Sequence, residues 1–587
     1  MPCENGPIQT PASMNAAKDS ASAVPQPSPG LAWLIVAFAL LLRLLWLGMK
    51  PPHFDEGVNG WFIDQMTKQG YFSYDPGNYH GPFHFYVLFL AQTLFGRNIV
   101  VMRLPLVLVN ASTVWLILQF RRFLPWRACV FAALAFAVSP GMLFYSRYAI
   151  HEAWLVFGMI LAFWGAAELW TRGTARGLWA AAMGVTLMLL NKETHLIHLS
   201  AFGLAFATLA ALEWLRISSA ADSEVLARPV AQQWRRGALY DALAVSLLLL
   251  LFFYSGGFLD PAPWQKLAGN FFAAFAVWTK TGVHGTDHVK AGYYWIQLLL
   301  RYEWPVLLGV LWSARALWPG MDRFTRLLAI YGAGTLVAYS LVPYKTPWCV
   351  VSICWPFCFL FGVAVDSGMR FLREKQASAV VAWLPGLMGA VLLAASLAEA
   401  VSLNYFHPTE PGEKTLSLPA PLTRRIPVKW QAFLTLPSYV YVQTLNDYFK
   451  LTRPLEALIA LNPEARHMPG NILLSSYHPL PWALGDLSAV GYYEKEAPPE
   501  MDAGFIVAEE DRIASVESHL KERYFVFPFQ LRDAMSGGKL YLNAEWFAPV
   551  FPHRKPDFVP RAKTDAPAEL PIVPAVPVVP TETPAVP

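Results

Sequence analysis

The chain contains 587 residues, of which 55% are hydrophobic and only 15% are charged. Its hydrophobic residues gather in long blocks, which is typical of a protein that crosses a membrane several times and argues against a soluble enzyme. The formal net charge is only +4, so nothing indicates a nucleic acid or another acidic polymer as a partner.

A membrane anchor is predicted close to the start of the chain. Residues 1–30 are rich in Ala, Ser and Pro and are expected to be disordered. They lack the short basic segment, the apolar core and the small-residue cleavage site of a signal peptide that is removed. The block that follows, "LAWLIVAFALLLRLLWLGM" at residues 31–49, is therefore expected to remain as an anchor.

Two acids follow this anchor, in "HFDEGVNG" at residues 53–60. The apolar residues behind Asp55 and Glu56 recur at helical spacing: Val58, Phe62, Ile63 and Met66. This spacing predicts an amphipathic helix in the membrane interface, with both acids at its N-terminus. The acids could cap the helix, because Asp is a preferred N-cap and acids favour the positive end of the helix dipole. They could equally be catalytic.

Ten further apolar segments are candidate spans, which makes about eleven in total. These ten lie at residues 104–120, 128–145, 153–170, 178–191, 195–213, 238–256, 302–317, 327–342, 347–365 and 379–402. The stretch "GPFHFYVLFLAQTLFG" at 81–96 is shorter than the ~20 apolar residues that a span needs. We therefore expect it to lie in the interface or to re-enter the membrane without crossing it.

Arginine-rich loops predict the orientation. Basic loops lie at residues 121–127, 171–177, 216–236, 321–326 and 370–375. They share one side only if residues 81–96 do not cross, and the positive-inside rule makes that side cytoplasmic. The opposite, outer face should then carry the first acids, everything after about residue 403, and the polar clusters at 145–153, 191–195, 256–292 and 342–348.

Residues 404–559 are expected to form a small α/β domain outside the membrane. Short β-like runs at 471–476, 503–510 and 523–529 are separated by helix-like stretches such as 511–522. Residues 560–587 are dominated by Pro, Ala and Val, which predicts a disordered, polyproline-like tail. The predicted fold class is thus an all-α polytopic membrane module at 31–403, with interfacial helices in its first outer loop, followed by this α/β domain.

A family resemblance rests on an ordered set of motifs: "HFDEGVNGWF", "YDPGNYHGPFHFYV", "RLPLVL", "SPGMLFYSRYAIHEAW", "NKETH" and "YKTPW". In this order they resemble the membrane glycosyltransferases of the C superfamily (GT-C), in the branch of the protein mannosyltransferases and the lipid A aminoarabinose transferase. The resemblance covers residues 31–403 and is closest to the prokaryotic subgroup called Agl23-like, or flippase-activity-associated. It implies a multi-pass enzyme of the cytoplasmic (inner) membrane. Such an enzyme takes a sugar from a polyprenyl-phosphate donor at the outer face and passes it to a lipid, glycan or protein acceptor.

The resemblance also implies roles for charged residues. Asp55 matches the acidic residue of the family's first loop and would take the proton from an acceptor hydroxyl. Glu56 would orient the acceptor or keep Asp55 in position. The departing lipid phosphate needs cations, and Arg147, Lys192 and Lys345 lie beside the predicted outer interface. Each of these cations could instead reach out to lipid headgroups.

Three more polar residues are candidate substrate ligands. Tyr79 and His80 return to the interface of the first acids, and His80 is the candidate acceptor ligand. Glu152 stands where many relatives carry an Asn-Asp or Asp-containing pair. It could hold a divalent metal, as in oligosaccharyltransferases, or fix Arg147. We favour a site without metal or other cofactor, and the five cysteines show no zinc-ligand spacing.

Two other functional classes remain open. A transporter or lipid-linked-sugar flippase would use a similar number of spans, but such proteins place substrate near the midplane, on broken helices of repeated halves. No such repeat is evident in the sequence. A membrane-anchored scaffold would not need five polar clusters on one face. We therefore predict a glycosyltransferase, with transport as the alternative.

Overall fold

The computed structural model describes residues 29–77, 80–215, 236–286, 288–316, 321–410, 412–415 and 432–560. Four predictions fall on residues outside these ranges. They concern most of the N-terminal tail, Tyr79, the basic loop with Arg216, Arg228 and Arg235, and the Pro-rich tail from residue 561.

The membrane part of the described chain is helical throughout. In chain order its helices are α1 (Pro29–Leu44), α2 (Phe54–Gln69), α3 (Phe83–Phe95), α4 (Ile99–Gln119), α5 (Trp126–Val138), α6 (Pro140–Tyr145), α7 (Glu152–Arg172), α8 (Ala175–Leu189), α9 (His195–Trp214), α10 (Arg236–Tyr254), α11 (Trp264–His284), α12 (Tyr294–Tyr302), α13 (Trp304–Ala316), α14 (Arg323–Leu341), α15 (Val350–Glu374) and α16 (Ala379–Val401).

All eleven segments predicted as spans coincide with helices. Within the described residues, seven helices are long and apolar enough to cross a membrane by length and composition, and α1, α3, α5 and α8 are shorter apolar helices. The segment predicted as a span at 128–145 forms two consecutive helices, because the chain breaks between α5 and α6. Pro140 has no N–H for the helix ladder, and the Ser139 hydroxyl starts a new helix by accepting from the Met142 nitrogen at 3.2 Å.

Helix α3 begins and ends at the same end of the bundle, as predicted for residues 81–96. The Gly81 nitrogen, just before α3, donates to the Asn191 carbonyl at 3.1 Å. Just after α3, the Arg97 guanidinium contacts Asp64 of α2 at 2.9 Å and Asp486 of the C-terminal region at 3.5 Å. Asn191 therefore lies at the end of the bundle that meets the C-terminal region.

The described basic loops gather at the opposite end. Arg122, after α4, pairs with Glu168 near the end of α7 at 3.0 Å. Arg127 and Arg373 both lie over the Trp383 ring, with their guanidinium carbons 5.6 and 5.4 Å from its centroid. One end of the bundle thus carries the described basic loops and the other meets the C-terminal region.

Helices α7 and α8 form a hairpin whose backbones touch. A Cβ added at Gly165 would lie 2.2 Å from the Ala181 nitrogen, and one added at Gly184 would lie 2.4 Å from the Ala162 nitrogen. Small residues at such positions let membrane helices approach closely. The hairpin places Glu152, the first residue of α7, beside the turn that follows α8.

The predicted outer loop at 256–292 is wrong as a loop, because it contains the 21-residue helix α11. The helix mixes small, polar and aromatic residues, so no long apolar block marks it in the sequence. Leu267 and Ala274 are buried against the protein, whereas Trp264 and Phe272 are exposed. The helix therefore buries only a narrow apolar face and leaves most of its surface exposed.

The C-terminal region contains two sheets. The short strands β1 (Lys414–Thr415) and β2 (Thr435–Leu436) pair antiparallel. The larger sheet consists of β3 (Gly470–Leu473), β4 (Val490–Tyr492), β5 (Phe505–Glu509), β6 (Tyr524–Phe529) and β7 (Gly538–Asn543), in the order β4-β3-β5-β7-β6. Strands β4, β3 and β5 are parallel, and β7 pairs antiparallel with β5 and β6.

Four helices accompany this larger sheet: α17 (Tyr448–Leu461), α18 (Leu480–Ala483), α19 (Ile513–His519) and α20 (Ala544–Phe547). Strands β3, β5 and β6 coincide with the three predicted strand runs, and α19 lies within the predicted helical stretch. The core between sheet and helices contains Leu451, Leu455, Phe505 and Leu542, all buried. An α/β region thus follows the membrane helices, as predicted.

Candidate active site

A cavity of about 310 Å³ lies at the end of the bundle that meets the C-terminal region. Each of the five predicted polar clusters contributes to its wall, through Asp55, Glu152, Lys192, Thr281 and Tyr344. The prediction that these clusters share one face is therefore confirmed. Their convergence also makes this cavity the candidate active site.

Asp55 lies in the first turn of α2 and faces the cavity. Its side chain is 18% exposed, and the ionisable group nearest to it is the His53 ring, whose Nδ1 lies 3.9 Å from Oδ2. Within the described residues no hydrogen bond to this carboxylate is found. Burial raises the pKa of Asp55, and His53 and Lys192 oppose the shift only in part. The carboxylate is thus an unengaged and unusually basic acceptor.

Glu56 points the other way and is fully engaged. Its carboxylate forms a bidentate pair with Arg103 of α4, at 2.8 and 2.6 Å, and both side chains are completely buried. It also accepts from the backbone nitrogens of His53 at 2.8 Å and Ala149 at 2.9 Å. The structure therefore does not bring Glu56 to the cavity. Burial acts to raise its pKa, but Arg103 and the two backbone donors outweigh this and lower it.

The two readings of the acid pair, capping and catalysis, apply to different residues. The N-cap of α2 is His53, whose Nδ1 accepts from the Asp55 nitrogen at 3.2 Å, and Glu56 completes the capping box by accepting from the His53 nitrogen. The expectation that Asp55 itself might cap the helix is wrong, because its carboxylate does not bond the backbone of the first turn. Of the two acids, Glu56 is therefore the one that takes part in capping the helix, and the Asp55 carboxylate is available for chemistry.

Lys192 and Glu152 form a buried ion pair in the cavity wall. The side chains are only 6% and 3% exposed. Burial disfavours the charged ammonium, but the Glu152 carboxylate more than offsets this and raises the pKa of Lys192. The expectation that Glu152 fixes Arg147 is wrong: the α7–α8 hairpin gives it Lys192 instead.

His80 lines the cavity between an acid and an aromatic ring. Its Nδ1 lies 2.7 Å from Glu193 Oε2, and its ring packs on Trp278 of α11 with a centroid distance of 4.4 Å. Its predicted partner Tyr79 lies outside the described residues. A hydrogen-bonding ring beside an indole face suits the polar edge and apolar face of a sugar.

Arg147 and Lys345 lie near the site, but their side chains are absent from the described cavity wall. The Arg147 guanidinium donates to the carbonyls of Leu45 at 2.6 Å and Trp46 at 3.0 Å, just beyond α1. The Lys345 ammonium donates to the carbonyl of Lys290 at 3.3 Å. Both cations therefore hold backbone in this structure, and only Lys192 of the three predicted phosphate ligands reaches the cavity.

Sequence reasoning missed three contributors to the wall. Phe275 and Trp278 come from α11, which was predicted as a loop, and Val442 comes from the C-terminal region. Helical spacing of aromatic residues in 264–284 could have revealed the first two. No motif points to Val442, which reaches the site only through the tertiary fold.

Within the described ranges, no group of three or more His, Cys, Asp or Glu side chains is placed to hold a metal ion. The four cysteines described are free. The absence of a cofactor nevertheless stays a prediction.

Comparison with known families matches residues 79–220 to the family described as dolichyl-phosphate-mannose-protein mannosyltransferase. The matched stretch contains His80, Glu152 and Lys192 of the cavity wall. Residues 79–220 therefore resemble this glycosyltransferase family. The predicted resemblance, the enzyme class that it implies and the predicted fold class are thereby confirmed.

Solved structures resemble the chain along most of its length. ArnT from Cupriavidus metallidurans bound to undecaprenyl phosphate has a TM-score of 0.53 and 17% identity, covering 89% of this chain and 99% of that one. The apo state of ArnT has a TM-score of 0.49 and 16% identity, covering 88% and 98%. The Archaeoglobus fulgidus oligosaccharyltransferase with zinc and sulfate has a TM-score of 0.43 and 13% identity, covering 87% and 73%.

At 17% identity, the likeness to undecaprenyl-phosphate-bound ArnT shows that the chain shares its fold. No curated protein sequence matches the chain.

Proposed function

We propose that the enzyme transfers a sugar from a polyprenyl-phosphate donor to an acceptor hydroxyl, with Asp55 as the general base. The observation that carries this proposal is the unengaged Asp55 carboxylate in a cavity that also holds a lysine. The acceptor oxygen attacks the anomeric carbon, the bond from that carbon to the phosphate oxygen breaks, and the phosphate leaves with the bonding electrons. The acceptor proton passes to Asp55.

Lys192 is the residue that we propose meets the lipid phosphate, because it is the predicted phosphate ligand whose side chain lines the cavity. Its ammonium is held in place by Glu152, and an arriving phosphate would exchange with or share this partner. Arg147 and Lys345 stay proposed phosphate ligands. Their use would require them to release the backbone carbonyls that they now bind.

The cavity is proposed to face away from the cytoplasm. The described arginine-rich loops lie at the opposite end of the bundle, and the positive-inside rule assigns that end to the cytoplasm. The C-terminal region would then be extracytoplasmic, on the outer side of the cytoplasmic membrane. We also propose that His80, beside Trp278, binds the sugar or the acceptor.

The experiment uses the purified enzyme, cell membranes as the acceptor source, and undecaprenyl phosphate carrying radiolabelled mannose, glucose, galactose or arabinose. Release of undecaprenyl phosphate together with labelled product reports transfer, whereas a flippase would move the lipid without breaking the sugar–phosphate bond. Asp55→Asn should lower kcat by about 100-fold or more, because general-base catalysis contributes 10²- to 10⁴-fold. Transfer by Asp55→Asn at the wild-type rate would overturn the role of Asp55.

A second pair of variants tests the phosphate site with undecaprenyl phosphate alone. Lys192→Met should weaken its binding about 10- to 100-fold, since hydrogen bonds to charged groups contribute ~1.5–3 kcal/mol. Glu152→Gln is the matched variant, because it breaks the same ion pair but leaves the ammonium free. It should bind undecaprenyl phosphate at least as tightly as the wild type. Equal weakening by both variants would contradict the assignment and make the ion pair purely structural.

A further inference from the structure

A short segment of the C-terminal region, residues 439–443, is buried against the membrane helices. We call this segment the strap. Its Tyr439 and Val440 are buried, and the Tyr145 hydroxyl donates to the Tyr439 carbonyl at 2.8 Å. The Tyr148 hydroxyl donates to the Gln443 side chain at the other end. Tyr145 is the last residue of α6 and Tyr148 lies between α6 and α7, so the membrane part holds the strap at two points.

The strap also reaches the cavity. Val442 lines it and has a backbone φ of +53°. A β-branched residue in this left-handed region is strained, because its Cβ crowds the backbone. Such conformations persist only where surrounding contacts impose them, and they cluster at functional sites. The strap is therefore held in this path by its contacts with the membrane part.

One contact connects the strap to the helix that carries Asp55. The His53 ring nitrogen Nε2 lies 2.9 Å from the Tyr441 carbonyl oxygen. A carbonyl can only accept, so Nε2 must carry the hydrogen. The other nitrogen, Nδ1, is then free to accept from the Asp55 nitrogen at 3.2 Å. The Tyr441 carbonyl thus selects the tautomer of His53 that caps the first turn of α2.

The ring of His53 is fixed in orientation as well. It packs edge-on against Tyr148, with centroids 5.2 Å apart, and against Trp348, with centroids 5.9 Å apart. Its side chain is only 6% exposed. Hydrogen bonds at both nitrogens and aromatic rings around it leave the imidazole one position, directly beside the Asp55 carboxylate.

We propose that the strap is a working part of the active site, and that His53, held by the Tyr441 carbonyl, is a positioning residue for Asp55. The imidazole transmits the position of the strap to the first turn of α2 and so sets the direction of the Asp55 carboxylate. This inference rests on the proposed transfer reaction. It assigns to the C-terminal region a direct part in catalysis at the membrane site.

Two substitutions of His53 separate this role from simple capping. His53→Gln places an amide nitrogen near the position of Nε2 and keeps the donor to Tyr441, whereas His53→Asn keeps an acceptor near Nδ1 and loses that donor. The proposal expects His53→Gln to lower kcat, because it loses the acceptor for the Asp55 nitrogen and so breaks the link at the α2 end. It expects His53→Asn to lower kcat about 10- to 100-fold with the donor KM unchanged, because small misplacements of reacting groups have such effects.

Capping alone predicts a loss of kcat in His53→Gln but not in His53→Asn, since Asn is among the best N-cap residues. Retained kcat in His53→Asn together with a loss in His53→Gln would overturn the proposal. The assay is transfer from whichever labelled undecaprenyl-phosphate sugar the wild-type enzyme uses. Thermal unfolding in detergent, followed by tryptophan fluorescence, identifies a variant that has merely lost its fold.

A change outside the helix tests the strap itself. Tyr145→Phe removes the hydroxyl that holds the Tyr439 carbonyl but leaves His53 and Asp55 untouched, so it should lower kcat without changing the donor KM. Tyr541→Phe is the matched control: it removes a hydroxyl that donates to Glu517 at 2.9 Å within the C-terminal sheet and should leave kcat unchanged. Equal rates for both variants and the wild type would refute the role of the strap.

These results are distinguishable from failure of the proposed function itself. If Asp55→Asn abolishes transfer while His53→Asn and Tyr145→Phe remain fully active, the reaction stands and the positioning role of the strap falls. If Asp55→Asn is fully active, the base is elsewhere, and the inference falls with the proposed function.

Discussion

Glu56 is predicted to stabilise the fold through its buried ion pair, and this can be tested with Glu56→Gln. The wild-type carboxylate accepts four hydrogen bonds, two from Arg103 and one each from the nitrogens of His53 and Ala149. A glutamine has one acceptor oxygen and turns a donor towards the remaining N–H groups. The Arg103 guanidinium then loses its counter-charge in a fully buried site.

The magnitude follows from this geometry. Removing one partner of a buried ion pair costs about 3–5 kcal/mol in the free energy of unfolding, because the other charge stays desolvated and unpaired. Thermal unfolding of the purified variant in detergent should therefore begin at a clearly lower temperature than that of the wild type. Glu56→Gln should lose activity only to the extent that it loses stability.

Glu213→Gln is the control. Glu213 accepts from Arg323 with the same bidentate geometry, at 2.6 and 2.9 Å, but the two side chains are 23% and 21% exposed. A pair with such access to water contributes about 0–1 kcal/mol, so this variant should unfold close to the wild-type temperature. Equal unfolding temperatures for Glu56→Gln and Glu213→Gln would refute the reasoning, and Glu56 would then be free for a role in substrate orientation.

Three further predictions concern the cavity and its surroundings. A general base must be ionised, and burial raises the pKa of Asp55 above its ordinary value of 3.8. In the pH–rate profile, kcat should therefore rise with pH and reach half of its maximum above pH 3.8. A midpoint at or below pH 3.8 would contradict this. Gly60→Ala should loosen the C-terminal region, because the new Cβ would lie 2.2 Å from the Trp482 ring. Limited proteolysis should then cleave this region faster than in the wild type. Resistance to cleavage equal to that of the wild type would count against the close contact between Gly60 and Trp482. In a Cys3→Ser background, N-ethylmaleimide should modify Cys349, which lines the cavity, before it modifies the other cysteines. Undecaprenyl phosphate should slow the modification of Cys349. If mass spectrometry shows neither this order nor this protection, the cavity is not the binding site for the lipid phosphate.

The membrane helices could be predicted because their cause is local. A long apolar block must form a helix in lipid whatever its neighbours are, so the eleven predicted spans were recognisable one by one. Helix α2 was also predictable, since its apolar residues recur at helical spacing. Helix α11 was missed because it carries no long apolar block, although its aromatic residues recur at helical spacing.

The partners of charged residues could not be predicted, because they lie far apart in the sequence. Glu56 and Arg103 are separated by 47 residues and Lys192 and Glu152 by 40. The sequence showed that Asp55 and Glu56 both sit at a helix start, but only the tertiary structure shows which of them meets an arginine. The order of motifs could therefore indicate a reaction class, whereas the division of labour between neighbouring acids depended on packing.

The position of Val442 has a consequence for how the protein is made. The ribosome completes every membrane helix, including α16, before it reaches the residues that close this side of the cavity. A nascent or truncated chain ending after Val401 would carry Asp55 and Lys192 in the membrane but would lack the Tyr441 carbonyl and the Val442 side chain. Unfinished copies should consequently consume no lipid-linked sugar, and enzymatic competence would arrive only with the folding of the last-made part of the chain.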